Sequence, residues 1–113
     1  MKSLEKGQIW LVNFDPSFGH EYQKVRPAII IQKMQFSDHP HITIIPISSQ
    51  ISKQSSFDVF MQKDSENRLV KDSLAKVRQV SSFDKRRFIK YIGVVNKDTM
   101  AKVEEHLRQF LGL

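Results

Sequence analysis

Apolar positions along the chain fall in short runs over much of its length, alternate with polar ones at 57–62 and 73–80, and follow a helical period at its end. Residues 7–14 form a short run rich in β-branched and aromatic side chains, closed by Asp15-Pro16, and predict a strand running into a turn. Residues 27–32 predict a second strand, with Pro27 where a strand can begin. Residues 41–47 predict a third. At 58–62, Phe57, Val59 and Met61 alternate with polar neighbours and predict a weaker fourth strand with one exposed face. Residues 73–80 set Leu74, Lys76 and Arg78 against Ala75, Val77 and Gln79 and predict a fifth. Residues 82–91, with Ser82 or Asp84 as N-cap, predict a short helix, and 91–95 a last short strand. After Asn96 and Asp98, the residues Met100, Val103, Leu107, Phe110 and Leu111 fall on one stripe. Lys102, Glu105 and Arg108 lie opposite, and Gly112 sits where a closing glycine belongs, which predicts an amphipathic helix.

Such a stripe must be buried against something. Short strands followed by a terminal helix therefore give an α+β, mainly β, fold: a small, strongly bent antiparallel sheet or barrel with the helix packed on it. The 113 residues fit one domain, 1–113, large enough to bury most of its unfolded surface without a covalent staple. There is no cysteine, which excludes disulfides and thiolate metal sites. The first residues carry no apolar run and no stretch reaches the length of a membrane span, so neither a signal peptide nor a membrane anchor is expected, and the expected location is the cytoplasm.

Charge changes this picture locally. Eighteen basic against twelve acidic side chains give +6. Residues 76–96 hold Lys76, Arg78, Lys85, Arg86, Arg87 and Lys90 against Asp84 alone, a net +5, so nearly all the excess lies in one segment. A concentration of this kind points to a polyanion such as nucleic acid, or to a solvated basic face.

His39 and His41 beside Asp38 share the spacing of two ligands on a strand, but no third ligand follows, so no metal site is expected. The segment 19–31 is denser in chemistry. Gly19 permits a sharp turn, His20 can carry a proton near neutral pH, and Glu21 can act as a base or clamp a cation. Arg26 precedes Pro27, which biases it to extended backbone and joins it to a strand, where a guanidinium can be held for phosphate recognition. Spacing alone leaves two readings open, a Glu21–Arg26 ion pair across a long hairpin or a functional site. Ser48 and Ser49, where the third strand ends, can donate to a phosphate oxygen.

Taken together these residues resemble the MazF/PemK/Kid family of toxin endoribonucleases. The elements that carry the resemblance are Gly7, Ile9-Trp10, Phe14-Asp15-Pro16, Gly19-x-Glu21, Arg26-Pro27 before an apolar strand, the segment 46–50 (Pro-Ile-Ser-Ser-Gln), and the strand–turn stretch 71–87. Order and spacing hold over nearly the whole chain. The resemblance implies an SH3-like barrel with a short helix and a C-terminal helix, forming a homodimer. It implies cleavage of single-stranded RNA without metal or other cofactor, and inhibition by a cognate antitoxin of the MazE/PemI kind that occupies the RNA groove. Carried over residue by residue, it places Arg26, Ser48, Glu21 and His20 in the catalytic site. Lys24, Ser49, Gln50, Lys76, Arg78, Gln79, Lys85 and Arg86 are the residues expected to contact RNA.

Arginine stays protonated, so Arg26 is expected to stabilise phosphoryl charge, Ser48 to orient the phosphate, and Glu21 or His20 to remove the 2′ proton. One departure stands out. Some members carry an acid as general base immediately before the glutamine of the fifth strand. Here that glutamine is Gln79 and the preceding residue is Arg78. Two other outcomes follow from the same fold: an RNA-binding protein that cuts little, or a non-enzymatic toxin of the CcdB kind that binds DNA gyrase.

Overall fold

Among the described residues, tertiary pairing turns the apolar runs into seven strands. The computed structural model describes residues 3–15, 25–34 and 39–113. Its strands are β1 (Gln8–Asn13), β2 (Val25–Ile30), β3 (His41–Ser48), β4 (Val59–Met61), β5 (Ser73–Ala75), β6 (Ser81–Asp84) and β7 (Phe88–Val94), followed by the helix α1 (Lys97–Leu111). The sheet runs β4-β5-β3-β2-β1-β7, and β6 pairs with β3 beside β5. All pairings are antiparallel.

Alternation sends successive residues to opposite faces of this sheet, and each face has its own core. Ile9, Ile29, Ile45, Ile47, Val59 and Met61 pack on one side with Val103 of α1. Trp10, Val12, Ala28, Ile30, Ile42, Ile44 and Phe88 pack on the other. Trp10 is buried edge-on between Phe88 and Tyr91, and its indole Nε1–H donates to the buried Gln8 Oε1 at 2.8 Å.

Among the described residues the sheet curls without a closing strand pair. Its outer strands, β4 and β7, are linked where Val94 N–H donates to the Glu66 carbonyl at 3.0 Å, in the connection between β4 and β5. Gly93 makes this contact possible, because a Cβ there would meet the Glu66 and Asn67 carbonyls. A barrel-like description therefore fits, as the sequence implies.

The helix α1 has the expected stops. The Asn96 side chain accepts from Thr99 N–H, and Gly112 adopts φ 73° and donates to the Arg108 and Gln109 carbonyls. Met100, Leu107 and Phe110 pack with Val103 against the sheet. Leu111 does not: it is exposed, one position round the helix from the buried stripe.

Two predicted elements are corrected. Residues 82–91 are not a helix. Ser82 and Phe83 lie in β6, the cap at Asp84 holds only a single 3-10 turn at Lys85–Arg87, and the chain then enters β7. Pairing of Phe88 with Val12 and of Tyr91 with Trp10 overrides the local helical signal. The predicted strand at 73–80 stops at Ala75 and turns through a 3-10 segment, Val77–Gln79, which drops Val77 into the core.

Candidate nucleic-acid interface

Strand register assembles the site. Arg26 pairs with Val12 across β1–β2, and Ala28 pairs with Pro46 across β2–β3. The β2–β3 pairing ends at Ala28 and Pro46, so Arg26 and Ser48 each lie two residues beyond it, at the same end of the two strands. On the other edge of β3, Ser48 pairs with Leu74, and Leu74 pairs with Phe60. Ser48, Leu74 and Phe60 thus form one row over three strands, with Arg26 two residues past the end of the β2–β3 pairing, and their alternation with Ile47, Ala75 and Val59 sets the row on the face opposite the one α1 covers. Arg26 is half-buried, Ser48 is buried, and Phe60 is 48% exposed. The Ser48 hydroxyl accepts from Gln50 N–H at 3.2 Å, which turns the chain at the strand end and leaves Ser49 and Gln50 exposed.

A second polar group adjoins the row. Lys76 N–H donates to the Pro46 carbonyl at 2.9 Å, which places Lys76 beside β3 two residues before Ser48. Its ammonium meets Asp58 Oδ2 at 2.6 Å, and the two side chains are 14% and 1% exposed. Ser55 adds its N–H at 2.8 Å and its hydroxyl at 3.2 Å to the same oxygen. Gln79 is exposed and closes the following 3-10 turn by donating to the Lys76 carbonyl. Arg78 donates to the Ser56 hydroxyl at 3.3 Å, and its guanidinium lies 6.0 Å from the centre of the Phe110 ring on α1.

The basic segment is dispersed rather than one patch. Lys85 and Arg86 sit on the 3-10 turn beside His41, at the opposite end of β3 from Ser48. Seven residues of strand separate the two ends, on the order of 20 Å. Arg86 forks onto Asp84 at 3.0 and 3.1 Å and also donates its backbone N–H. These hydrogen bonds hold the Asp84 carboxyl at about 2, below its usual 3.8. Arg87 donates to the Asn13 and Asp15 carbonyls and lies 5.7 Å over Phe83, which stacks on Phe14. It fixes the end of β1.

His20, Glu21 and Lys24 lie outside the described residues, as do Gly19 and Asp38. The residues that bracket the first of these segments, Asn13 and Val25, are register partners, one step from Arg26. Among the described residues no group of three or more His, Asp or Glu is placed to hold a metal, and His39 and His41 face each other with rings 5.5 Å apart. Among those residues, too, no helix is long and apolar enough to cross a membrane.

The model of the PemK-like, MazF-like toxins of type II toxin–antitoxin systems matches residues 5–111. The chain belongs to this family. It is 28% identical over 116 residues to Endoribonuclease MazF9 of Mycobacterium tuberculosis, covering 97% of this chain and 98% of that one. Its fold is that of MazF from Deinococcus radiodurans, with a TM-score of 0.84 at 23% identity and complete coverage of both chains. A mycobacterial endoribonuclease in complex with its cognate antitoxin matches at a TM-score of 0.75 and 18% identity, over 100% of this chain and 97% of that one.

Three residues of this PemK-like, MazF-like chain stand at informative positions that the sequence reading passed over. Phe60 was legible in part, since the alternation of Phe57, Val59 and Met61 sends it to the open face. Asp58 was not, because its partner lies 18 residues on. Arg87 reads as one more charge in a basic run, yet its guanidinium is spent on backbone carbonyls.

Proposed function

We propose that this chain is the toxin of a type II toxin–antitoxin pair and an endoribonuclease that cuts single-stranded RNA. The observation that carries the reading is the family match spanning residues 5–111, and the position of Arg26 and Ser48, each two residues past the β2–β3 pairing at the same end of both strands, supports it. The name of the mycobacterial relative, Endoribonuclease MazF9, supports the same activity.

The chemistry follows from the groups at hand. The ribose 2′-oxygen attacks the adjacent phosphorus, the O2′–P bond forms and the P–O5′ bond breaks. The products are a 2′,3′-cyclic phosphate and a 5′-hydroxyl. Arg26 stabilises the charge on the phosphoryl oxygens, as a fixed guanidinium can. Ser48 orients the phosphate. Glu21 or His20 takes the 2′ proton, and the departing 5′ oxygen gains one. The nucleophile is the substrate's own hydroxyl, so the reaction proceeds in EDTA. Ser49, Gln50, Lys76 and Gln79 contact the RNA backbone around the scissile phosphate. Phe60 offers a face on which an unpaired base can stack. Lys24 approaches from the segment after β1. Lys85 and Arg86, at the far end of β3, serve a longer RNA rather than the scissile site.

The partners are single-stranded RNA, a second copy in a homodimer, and an antitoxin that covers the RNA-binding face; a mycobacterial endoribonuclease of the same fold forms a complex with its cognate antitoxin. Purified protein freed of antitoxin is expected to cut a mixed-sequence RNA in EDTA and leave cyclic-phosphate ends. Intact RNA across a broad substrate set would refute the proposal. A second reading, binding without cutting, is favoured by Arg78, which replaces an acid and is directed to Ser56 and Phe110. Salt-sensitive binding with no cyclic-phosphate product selects it.

A further inference from the structure

We propose that Asp58 is a positioning residue of the RNA-cleaving site, which fixes the Lys76 ammonium as a second cation beside Ser48, on the flank opposite Arg26. This rests on the ribonuclease reading above and adds a residue to it.

Lysine is a flexible point charge, and a cation that must meet a phosphate at one place gains from being held there. Lys76 is held. Its ammonium is 2.6 Å from Asp58 Oδ2, and that oxygen is itself fixed by the N–H and hydroxyl of Ser55. The carboxylate is buried, and its other oxygen, Oδ1, has no hydrogen-bond partner among the described residues. Buried ion pairs are a weak source of stability, and apolar replacements of similar volume often serve as well or better. An incompletely satisfied one invites a reason other than stability.

The turn that carries Asp58 is held against strain. Phe57, next to it, adopts φ 70°, a costly conformation for a bulky side chain. It is retained by His106, whose Nδ1–H donates to the Phe57 carbonyl at 3.1 Å, and by the Phe110 ring at 5.6 Å. Arg78 adds a bond to Ser56 in the same turn. Three side chains from outside the turn thus fix the segment that places one carboxylate.

Register supplies the target. Lys76 lies beside Pro46, and Leu74 lies beside Ser48, so Lys76 and Ser48 are diagonal neighbours, roughly 7–8 Å apart at the backbone and within reach of a long side chain. β2, which carries Arg26, pairs with the other edge of β3. Asp58 is itself too buried to meet RNA, so it acts through Lys76.

The test measures kcat and KM on an oligoribonucleotide that the wild type cuts, with circular dichroism and thermal unfolding of every variant. Asp58→Asn is expected to lower kcat about tenfold or more while KM stays within about threefold, because a charge displaced by an ångström or so loses transition-state contact first. Asp58→Glu, which restores the carboxylate, is expected to recover a large part of that loss. In a Lys76→Ala background that retains measurable cleavage, Asp58→Asn should add little. Wild-type kcat in Asp58→Asn, or equal losses in the Asn and Glu variants, overturns the inference. So does an equal effect of Asp58→Asn with and without Lys76. If Asp58→Asn fails to fold, Asp58→Glu carries the test: its kcat must exceed that of Lys76→Ala, and a value no higher overturns the inference. A wild type that cuts no RNA overturns the ribonuclease reading itself, whereas wild-type cleavage with an indifferent Asp58 overturns this inference alone.

Discussion

Replacing Gly93 by alanine tests the link that curls the sheet. Gly93 has no positive φ, so alanine meets no backbone strain there and would ordinarily stabilise the chain by about 0.4–1 kcal/mol through the unfolded state. The packing predicts the opposite sign. The added Cβ would collide with the Glu66 carbonyl oxygen and stand 2.6 and 2.8 Å from the carbonyl oxygen and carbon of Asn67. Those atoms are not free to retreat. Asn67 is buried, accepts from the Asp64 and Leu69 N–H groups at 3.0 Å each, and donates to the Gln62 carbonyl at 2.9 Å. Asp64 Oδ1 in turn accepts from Glu66 and Asn67. Overpacking of this kind costs about 1–3 kcal/mol, and losing the Val94–Glu66 hydrogen bond about 1 more. The expected loss is about 2–4 kcal/mol, or roughly 8–16 °C in Tm at about 4 °C per kcal/mol for a domain of this size. Urea unfolding followed by Trp10 fluorescence, paired with a thermal scan, measures both. A variant as stable as the wild type or more so would refute the reasoning.

Other consequences are as specific. Gln8→Leu strands the Trp10 indole N–H and the Glu5 N–H that share Gln8 Oε1, and should cost about 1–3 kcal/mol in denaturant unfolding. Phe60→Ala should leave the melting temperature near wild type but weaken binding of uncleavable single-stranded RNA by about 1–3 kcal/mol, the usual worth of one stacked base, as read by fluorescence anisotropy. The Asp84 carboxyl should titrate near 2 by NMR and return towards 3.8 in Arg86→Ala. A depressed carboxylate stabilises the fold above its unfolded pKa, and that contribution fades as pH falls through about 2. Both groups face solvent, so the shift should shrink in high salt.

Local pattern and long-range pairing divided what the sequence could reveal. Strands β1 to β3 and helix α1 were legible because their apolar spacing and caps lie within a few residues, as with Asn96, Thr99 and Gly112. Residues 82–91 were misread because only their partners on β1 make them strand. Leu111 was assigned to the stripe by its spacing, but one step beyond Phe110 the helical phase turns it outward. For the site, family motifs singled out Arg26 and Ser48, while their placement at the same end of β2 and β3 comes from register, which no motif encodes. Net charge located the basic segment without its shape. Pairing with Asp58 and Asp84, and capping of β1 by Arg87, distribute that charge over the molecule. Glu21, His20 and Lys24 remain proposals drawn from the resemblance.

Sequencing of RNA ends after treating total RNA with wild-type, Arg26→Ala and Ser48→Ala proteins, each shown to be folded and all in EDTA, tests the central claim most directly. The account predicts cyclic-phosphate and 5′-hydroxyl ends at a short recurring sequence for the wild type. Those ends should vanish with Arg26→Ala and be reduced with Ser48→Ala. Ends that persist unchanged in Arg26→Ala, or a wild type that leaves total RNA intact, would contradict it.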